Sequence, residues 1–168
     1  MIISKLALPD NALLCAYSRN GGYTDCYATD VPTTVTHEQY VAAFYTTWVF
    51  KLERFILKYA VAKPSTDEQS QALANGSLNE FAAWTVEKRA PNQLLMCDFM
   101  GRTRSWLMVE PLEGGKGTRL YFGSAFVAIG KSASGKPEFG FLFHALGGFH
   151  RLYSRILLSA ASKRLENL

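Results

Sequence analysis

The stretch FLFHALGGFHRLYSRILL, residues 141–158, constrains the fold more than any other part of the chain. Large apolar side chains recur in it at alternating spacings of three and four residues, which is the period of one helix face. Arg151 and Arg155 fall on the other side, and a membrane-spanning helix would not carry such a charged face. The pattern therefore predicts a long amphipathic helix that packs on protein. Its predicted apolar stripe comprises Phe139, Leu142, Leu146, Phe149, Tyr153, Ile156 and Ala160.

Residues 79–129 predict the sheet on which this helix packs. The segments NEFAAWTVEKR, QLLMCDFM, TRSWLMVEP and TRLYFGSAFVAI are rich in strand-forming residues. Turn signals separate them at Pro91-Asn92, at Gly101-Arg102 and in the loop LEGGKG. The glycine-rich EGGKG lacks the Gly-Lys-Ser/Thr ending of a phosphate-binding loop, so we interpret it as a hairpin loop. The order predicts an antiparallel meander.

The two short turns also predict how the strands pair. Two-residue loops at both turns would pair Val86 with Cys97, Trp84 with Phe99, and Cys97 with Trp106. One face of the sheet is then apolar, and we expect this face to form the core. It is predicted to carry Ala82, Trp84, Val86, Leu95, Cys97, Phe99, Trp106 and Met108. The opposite face is predicted to carry Thr85, Glu87, Arg89, Asp98, Thr103 and Ser105.

A strand and two helical segments precede the meander. GGYTDCYATDVP, residues 21–32, reads as a strand, and Thr36 with Gln39 forms a capping-box pattern at the start of a helix that Pro64 stops. STDEQSQALANG, residues 65–76, predicts a short capped helix that ends on Asn-Gly. The apolar positions of the first helix are Val41, Phe44, Tyr45, Trp48, Val49, Leu52, Phe55, Ile56 and Tyr59.

Composition limits the class of protein. A chain of 168 residues with 48% hydrophobic and 19% charged residues predicts a single globular domain, residues 1–168. The net charge is +4, but the 18 Lys and Arg residues are scattered, which argues against a nucleic-acid surface. Cys15, Cys26 and Cys97 show no metal-ligand spacing, so we expect free thiols and no metal. The apolar start is too short and broken for a signal peptide, and we expect a cytoplasmic protein.

The order of strand, helix, short helix, meander and long C-terminal helix resembles the helix-grip, or START-like, superfamily. That superfamily includes polyketide cyclases, plant Bet v 1-type allergens and lipid-transfer domains. More specifically, WLMVEPLEGGKGTRLYF (106–122) followed by FHRLYSRILL (149–158) is similar to a bacterial branch of it. The resemblance implies an α+β fold in which a curved antiparallel sheet of six or seven strands wraps around the C-terminal helix. It also implies a cavity between the sheet and that helix for apolar small molecules, and it carries over no catalytic residue.

A few polar residues are candidates for chemistry in such a cavity. Arg104 is expected on the same face as Trp106, where its guanidinium can hold a carboxylate; the alternative is that it extends into water from the strand's start. His150 lies beside the apolar stripe and is a weak candidate for a general acid or base, although a histidine bonded to a backbone carbonyl is the commoner case. Tyr45 and Tyr153 are candidates to orient a ligand's polar end or, as the commoner case, core-edge residues.

These observations predict a protein that binds a lipid-like or aromatic small molecule in an apolar, aromatic-lined cavity, without a cofactor and without nucleic acid. The predicted ligand contacts are Trp84, Phe99, Arg104, Trp106, Met108, Phe122, Leu146, Phe149 and Tyr153. The alternative is an enzyme of the cyclase, isomerase or hydrolase type that uses the same cavity. A third interpretation is an interaction protein whose cavity is filled by its own side chains.

Overall fold

The centre of the structure is an antiparallel sheet. The computed structural model describes residues 2–51, 65–128, 130–131, 137–138 and 141–166, and at residues 131, 137–138 and 141–150 it describes the backbone alone. The strands are β1 (Ser4–Lys5), β2 (Tyr23–Val31), β3 (Glu80–Phe81), β4 (Trp84–Ala90), β5 (Gln93–Asp98), β6 (Thr103–Pro111), β7 (Thr118–Phe126), β8 (Gly130–Lys131) and β9 (Pro137–Glu138). The helices are α1 (Cys15–Arg19), α2 (His37–Tyr45), α3 (48–51), α4 (Asp67–Ala74) and α5 (Phe141–Glu166).

Seven of these strands form one sheet in the order β1-β2-β7-β6-β5-β4-β3, and each neighbouring pair is antiparallel. The strands β1 and β3 are its two edges, so the sheet is open. The helix α5 packs on β2 and β7. The predicted α+β class, with a C-terminal helix on an antiparallel sheet, is therefore confirmed, and the arrangement is compatible with a helix-grip fold.

The predicted capping box of α2 is present, and the predicted cap of α4 is a capping box too. The Gln39 N–H donates to Thr36 Oγ1 over 3.1 Å, and the Thr36 N–H donates to Gln39 Oε1 over 2.9 Å, which fixes the start of α2. Thr66 and Gln69 make the same pair of bonds at α4, whose C-cap is Asn75, followed by Gly76 with its positive φ of 85°. Both helix starts are therefore set by side-chain bonds that the sequence pattern predicts.

The first predicted helix is interrupted at residues 46–47, between α2 and α3. At the end of α2, the Thr46 hydroxyl donates to Ala42 O over 2.7 Å and the Thr47 hydroxyl donates to Phe44 O over 2.9 Å. Such bonds compete with the helical backbone ladder. The prediction that Trp48 belongs to the apolar stripe is wrong, since its side chain is 70% exposed. The predicted stripe members Leu52, Phe55, Ile56 and Tyr59 lie outside the described residues.

The predicted β4–β5 pairing is right next to the turn and wrong beyond it. Ala90 pairs with Gln93 around Pro91-Asn92, as a two-residue loop requires. The register then shifts by one between Val86 and Lys88, which leaves Glu87 as an extra residue in β4, that is, a β-bulge. Val86 therefore pairs with Met96 instead of Cys97, and Trp84 with Asp98 instead of Phe99. A shift of one residue moves Trp84 and Val86 to the opposite face of the sheet from the one predicted.

The β5–β6 turn is also wider than predicted. Cys97 pairs with Arg104 rather than with Trp106, and residues 99–102 form a four-residue loop. Asp98 holds this loop, since its Oδ1 accepts the N–H of Arg102 over 2.7 Å and that of Thr103 over 2.9 Å. A shift of two residues preserves the faces. Cys97, Leu95 and Trp106 therefore still share one face, as predicted.

Apolar residues are buried on both faces of the sheet. On one face, here called the helix side, α2, α3, α4 and α5 cover the sheet residues Tyr27, Val31, Leu94, Met96, Leu107, Val109, Leu120 and Phe122. On the other face, here called the N-terminal side, residues 8–17 cover Cys26, Ala28, Leu95, Trp106, Met108, Tyr121 and Ala125. The sheet therefore separates two cores.

Gln93 fastens the N-terminal segment to its side of the sheet. Its Oε1 accepts the indole N–H of Trp106 and the backbone N–H of Leu13, each over 2.9 Å. Its Nε2 donates to Asn11 O over 3.0 Å. The buried amide thereby satisfies the indole and binds the covering segment at two points.

The buried face of α5 lies about one residue away from the predicted stripe. The inward residues are Ser154, Leu157, Leu158, Ala161, Ser162 and Leu165. Ile156, assigned to the stripe, is 38% exposed, whereas Tyr153 and Ala160 are partly buried against the helix-side core. Phe139 lies outside the described residues, as do the side chains of Leu142, Leu146 and Phe149. In the described part of the chain, no helix is long and apolar enough to cross a membrane.

Gly123 of β7 is a point at which the packing on the N-terminal side is testable. A Cβ at this position would lie 2.9 Å from Trp106 Cε3, 3.0 Å from Leu14 Cδ2 and 2.8 Å from Asp25 O. We expect Gly123→Ala to lower the free energy of unfolding by about 1–3 kcal/mol, the usual cost of overpacking a core. Urea unfolding would measure the change. Gly130→Ala is the control, since no described atom lies within 4 Å of its Cβ position, and an equal effect in both variants would contradict the packing argument.

Candidate functional site

A row of polar residues crosses the helix side of the sheet. Asp25 of β2 pairs with Ser124 of β7, which pairs with Ser105 of β6. All three residues are buried, and Asp25 is only 3% exposed. Each lies two positions from an apolar residue of the helix-side core (Tyr27, Phe122 or Leu107), and strand side chains alternate between faces. These three residues, here called the polar row, therefore face α5 rather than the N-terminal segment.

The carboxylate of Asp25 is the main charge of this row. Its Oδ1 accepts the N–H of Ser124 over 3.0 Å. Burial raises the pKa of Tyr23 and of Tyr27, and the negative charge of Asp25 raises both further. The positive charge of Arg151 in α5 acts in the opposite direction on the pKa values of both tyrosines. The helix α5 therefore passes over this part of the sheet.

Apolar side chains surround the polar row. Met96 continues the row into β5, where it is completely buried, and Val86 of β4 pairs with it. Trp84 lies on the same face and packs against the helix-side core. At the end of the sheet beyond Asp25, the ring of Tyr23 lies 6.1 Å from that of Phe126. A carboxylate and two hydroxyls thus sit within an apolar frame, an arrangement typical of sites for amphipathic small molecules.

The structure separates the predicted ligand contacts into groups. Trp84, Phe122 and Tyr153 lie on the helix side. Trp106 and Met108 are completely buried on the N-terminal side, so the prediction that Trp106 shares a face with Trp84 is wrong. The register shift at the bulge is the reason. Ligand binding by the helix-side residues stays a prediction.

The remaining predicted contacts fall elsewhere. Phe99 is not in the sheet but in the loop 99–102, where its side chain is 57% exposed. The side chains of Leu146, Phe149 and the candidate proton-transfer residue His150 lie outside the described residues. His150 therefore stays a prediction as well.

Arg104 lies on the N-terminal side, where the protein's own groups occupy its guanidinium. Its Nε donates to Glu87 Oε2 over 2.5 Å and to the hydroxyl of Tyr17 over 2.7 Å, and its Nη1 donates to Gly101 O over 2.8 Å. The guanidinium carbon also lies 4.8 Å from the centre of the Tyr17 ring. Arg104 therefore joins α1 to β4 and β6 and is not placed to hold a carboxylate on the helix side.

A second titratable group, the half-buried His37, lies at the start of α2. Burial, and to a smaller extent the nearby charge of Arg89, lower the pKa of His37 to about 4. Its Nε2 has no hydrogen-bond partner among the described residues, and Arg89 donates through Nη2 to Leu78 O over 2.9 Å. The imidazole is therefore neutral at pH 7. No group of three His, Cys, Asp or Glu residues in the described ranges is arranged to hold a metal ion.

The sequence analysis did not predict the polar row, although the segment YTDCYATDV contains a pattern that indicates the burial of Asp25. Tyr23, Asp25 and Tyr27 alternate along β2, so a strand that buries its tyrosines also buries the aspartate. Ser105 lies on the face opposite Trp106, as the predicted register requires, but this face is also buried. Nothing in one sequence shows which strand pairs with β2, so Ser124 had no signal.

Comparisons of the chain with models of known protein families, with curated proteins and with solved structures gave no match. Membership of the helix-grip superfamily therefore stays a prediction.

The three cysteines are free, as expected; Cys26 is buried, and Cys15 and Cys97 are half-buried.

The Arg104 cluster predicts a stability effect. Arg104→Met leaves the partly buried Glu87 carboxylate and the Tyr17 hydroxyl without their cation, so we expect the free energy of unfolding to fall by about 1–3 kcal/mol. The matched control is Arg119→Met on the neighbouring strand, whose ion pair with Asp30 is 40% and 44% exposed and should contribute less than about 1 kcal/mol. Urea unfolding of both variants would measure the difference. Equal losses would contradict a structural role for Arg104.

The low pKa of His37 predicts a pH dependence. Its folded value of about 4 lies below the usual 6.5, so below pH 6.5 the unfolded chain binds a proton that the folded chain does not. The stability contribution is complete above pH 6.5 and is lost as the pH falls toward 4; it amounts to roughly 3 kcal/mol at most. Urea unfolding at pH 7.5, 6 and 5 should show a smaller loss for His37→Gln than for the native chain. If the free energy of unfolding changes with pH in parallel for both proteins, the low pKa of His37 is contradicted.

Proposed function

We propose that this protein binds one amphipathic small molecule between the helix side of its sheet and α5, with the polar end of the molecule at the polar row. The observation that supports this most is the buried carboxylate of Asp25 beside Ser124 and Ser105 on the helix side of the sheet. Burying an ionised carboxylate opposes folding unless hydrogen bonds or charges compensate it. An apolar residue in its place would serve the core at least as well, so the carboxylate points to recognition.

The charge of the row selects the ligand's polar group. Asp25 is an acceptor of hydrogen bonds, and serine hydroxyls both donate and accept. Arg104, the anchor expected for a carboxylate, lies on the other side of the sheet in its own cluster. The proposal is therefore a ligand with a hydroxyl, amine or amide N–H at its polar end, rather than a lipid-like or aromatic acid.

The rest of the ligand would be apolar. Trp84, Val86 and Met96 lie on one side of the polar row, and Tyr27 and Phe122 lie next to it along β2 and β7. Aromatic and thioether surfaces favour flat or flexible hydrocarbon bodies. This proposal includes membership of the helix-grip superfamily and a location in the cytoplasm, where three free thiols are stable.

An enzyme of the cyclase, isomerase or hydrolase type that uses the polar row is the second candidate. The observation that favours it is the position of Asp25 beside two serines, since a buried carboxylate can accept a proton from a bound substrate. Both candidates require a ligand at the polar row. If the bound molecule changes chemically during incubation, the protein is an enzyme. If the molecule stays unchanged, the result favours the binding function.

Native mass spectrometry of protein purified from its own source tests occupancy. We expect a non-covalent adduct of one small molecule per chain, which is lost on denaturation. Identification of the released molecule would show whether its polar end carries a donor group. Repeated preparations without an adduct, together with no binding of the probes below, would contradict the proposal.

A pair of fluorescent probes tests the role of Asp25. N-phenyl-1-naphthylamine is neutral, and 8-anilinonaphthalene-1-sulfonate has the same rings with a sulfonate. We expect the neutral probe to bind more tightly to the native chain, because the carboxylate repels the sulfonate. Asp25→Asn keeps the shape and removes the charge, and should tighten binding of the sulfonate about tenfold, or 1.4 kcal/mol.

Asp30→Asn, a change of an exposed aspartate on the same strand, is the matched control and should leave both affinities unchanged. Thermal melts would confirm that both variants stay folded. If Asp25→Asn leaves the ratio of the two affinities where it was, the polar row does not contact the ligand.

A further inference from the structure

A pocket of about 350 Å³ lies on the N-terminal side of the sheet, and two of the three thiols of the chain line it. They belong to Cys15, at the start of α1, and Cys26 of β2, and the apolar residues 6–8 form another wall. Cys97 of β5 does not line this pocket. The ligand site proposed above lies across the sheet and uses neither Cys15 nor Cys26.

The packing on the sheet brings the start of α1 next to Cys26. Gly123 of β7 is the partner of Cys26 on the neighbouring strand, and such partners lie about 5 Å apart. Leu14, which precedes Cys15, covers this glycine, since Leu14 Cδ2 lies 3.0 Å from the position of a Cβ at Gly123. Cys15 also packs against the buried cluster that contains Cys26. The two cysteines are therefore neighbours on the same face of the sheet.

One short segment borders both cysteines. The N–H of Leu6 donates to Cys26 O over 3.0 Å, and the thiol of Cys15 donates to Pro9 O over 3.2 Å. Residues 7 and 8 alone separate these two contacts, and both line the pocket. Cys15 and Cys26 thus enclose one small space together with residues 6–9.

The two thiols differ in their access to an oxidant. Cys15 is half-buried at the pocket, whereas Cys26 is 1% exposed. Burial raises the pKa of the Cys26 thiol to about 12, and the negative charges of Asp25 and of the Cys15 thiolate contribute to the rise. Because the thiolate is the nucleophilic form, Cys26 does not attack an oxidant from solvent. Cys15 is therefore the thiol that reacts first, and Cys26 is the thiol beside it.

We propose that Cys15 and Cys26 form a redox pair that a hydroperoxide converts reversibly into a disulfide between α1 and β2. The Cys15 thiolate attacks one oxygen of hydrogen peroxide and becomes a sulfenic acid; the O–O bond breaks, and the other oxygen leaves as water with the proton that Cys15 released. The sulfur of Cys26 then attacks the sulfur of Cys15, and the Cys26 proton leaves with the sulfenic hydroxyl as a second water. The peroxide takes up the two electrons that the thiols lose.

Oxidation of the folded chain in a Cys97→Ser background tests the pair. We expect hydrogen peroxide, without denaturant, to remove both remaining thiols together and to lower the intact mass of the single chain by two hydrogens. Peptide mapping should place the disulfide between residues 15 and 26. Dithiothreitol should return both thiols, because thiol–disulfide exchange reverses the step. Thermal melts before oxidation would confirm that the variant is folded.

Two variants are the controls. Cys26→Ala in the Cys97→Ser background leaves Cys15 without a partner, so its sulfenic acid should persist, add one oxygen to the mass and be captured by dimedone. Cys26→Ala with Cys97 retained has two thiols, as the test chain does, and Cys97 is less buried than Cys26. We expect no disulfide within this chain, because Cys97 does not line the pocket.

Three results would overturn the proposal. In the first, Cys15 of the Cys97→Ser chain proceeds to a sulfinic acid while Cys26 stays a free thiol. In the second, the only disulfides join two chains, or Cys15 pairs with Cys97 as fast as with Cys26. In the third, peroxide leaves both thiols of the Cys97→Ser chain reduced. None of these results depends on whether the helix side binds a ligand.

Discussion

The burial of apolar side chains on both faces of one antiparallel sheet is the constraint on which the rest of the structure depends. Leu94, Leu95 and Met96 are consecutive and all buried, and so are residues 106–109 of β6. Because successive strand residues point to opposite faces, neither face can be left to water. The helices cover one face, and residues 8–17 cover the other. This second cover explains why Gln93 and Arg104 bind the N-terminal segment instead of a ligand.

The helices on one face and residues 8–17 on the other leave different groups available to a ligand. On the helix side, apolar rows such as Tyr27–Phe122–Leu107–Leu94 pack under α2 and α5, and the next row along the sheet changes to aspartate and serine. A core built for stability alone has no need for that change, because buried polar groups rarely improve on well-packed hydrocarbon. On the N-terminal side, the short helix α1 cannot cover the whole face, and a pocket of about 350 Å³ is left beside it.

Several local signals in the sequence predicted local structure correctly, while the assignment of side chains to faces failed through non-local pairing. The capping box of α2, the capped start of α4 and the turn at Pro91-Asn92 depend on a few adjacent residues, and they were predicted correctly. The face of each strand depends on the register along its whole length, and one bulge was enough to misplace Trp84. The continuous apolar runs LLM and WLMV did indicate burial on both faces, but the assumption of a single core hid it. The predicted apolar stripe of α5 is wrong because Ser154 and Ser162 lie on the buried face while Ile156 does not.

The bulge at Glu87 connects the two sides of the molecule. Without the extra residue, Trp84 and Val86 would face the N-terminal segment, and the helix side would lose the apolar wall next to the polar row. The same bulge places Glu87 on the N-terminal side, where its carboxylate meets Arg104 and Tyr17. The contact of α1 with the sheet and the apolar wall on the helix side therefore both depend on the bulge in β4. A regular strand at this position could satisfy only one of the two faces.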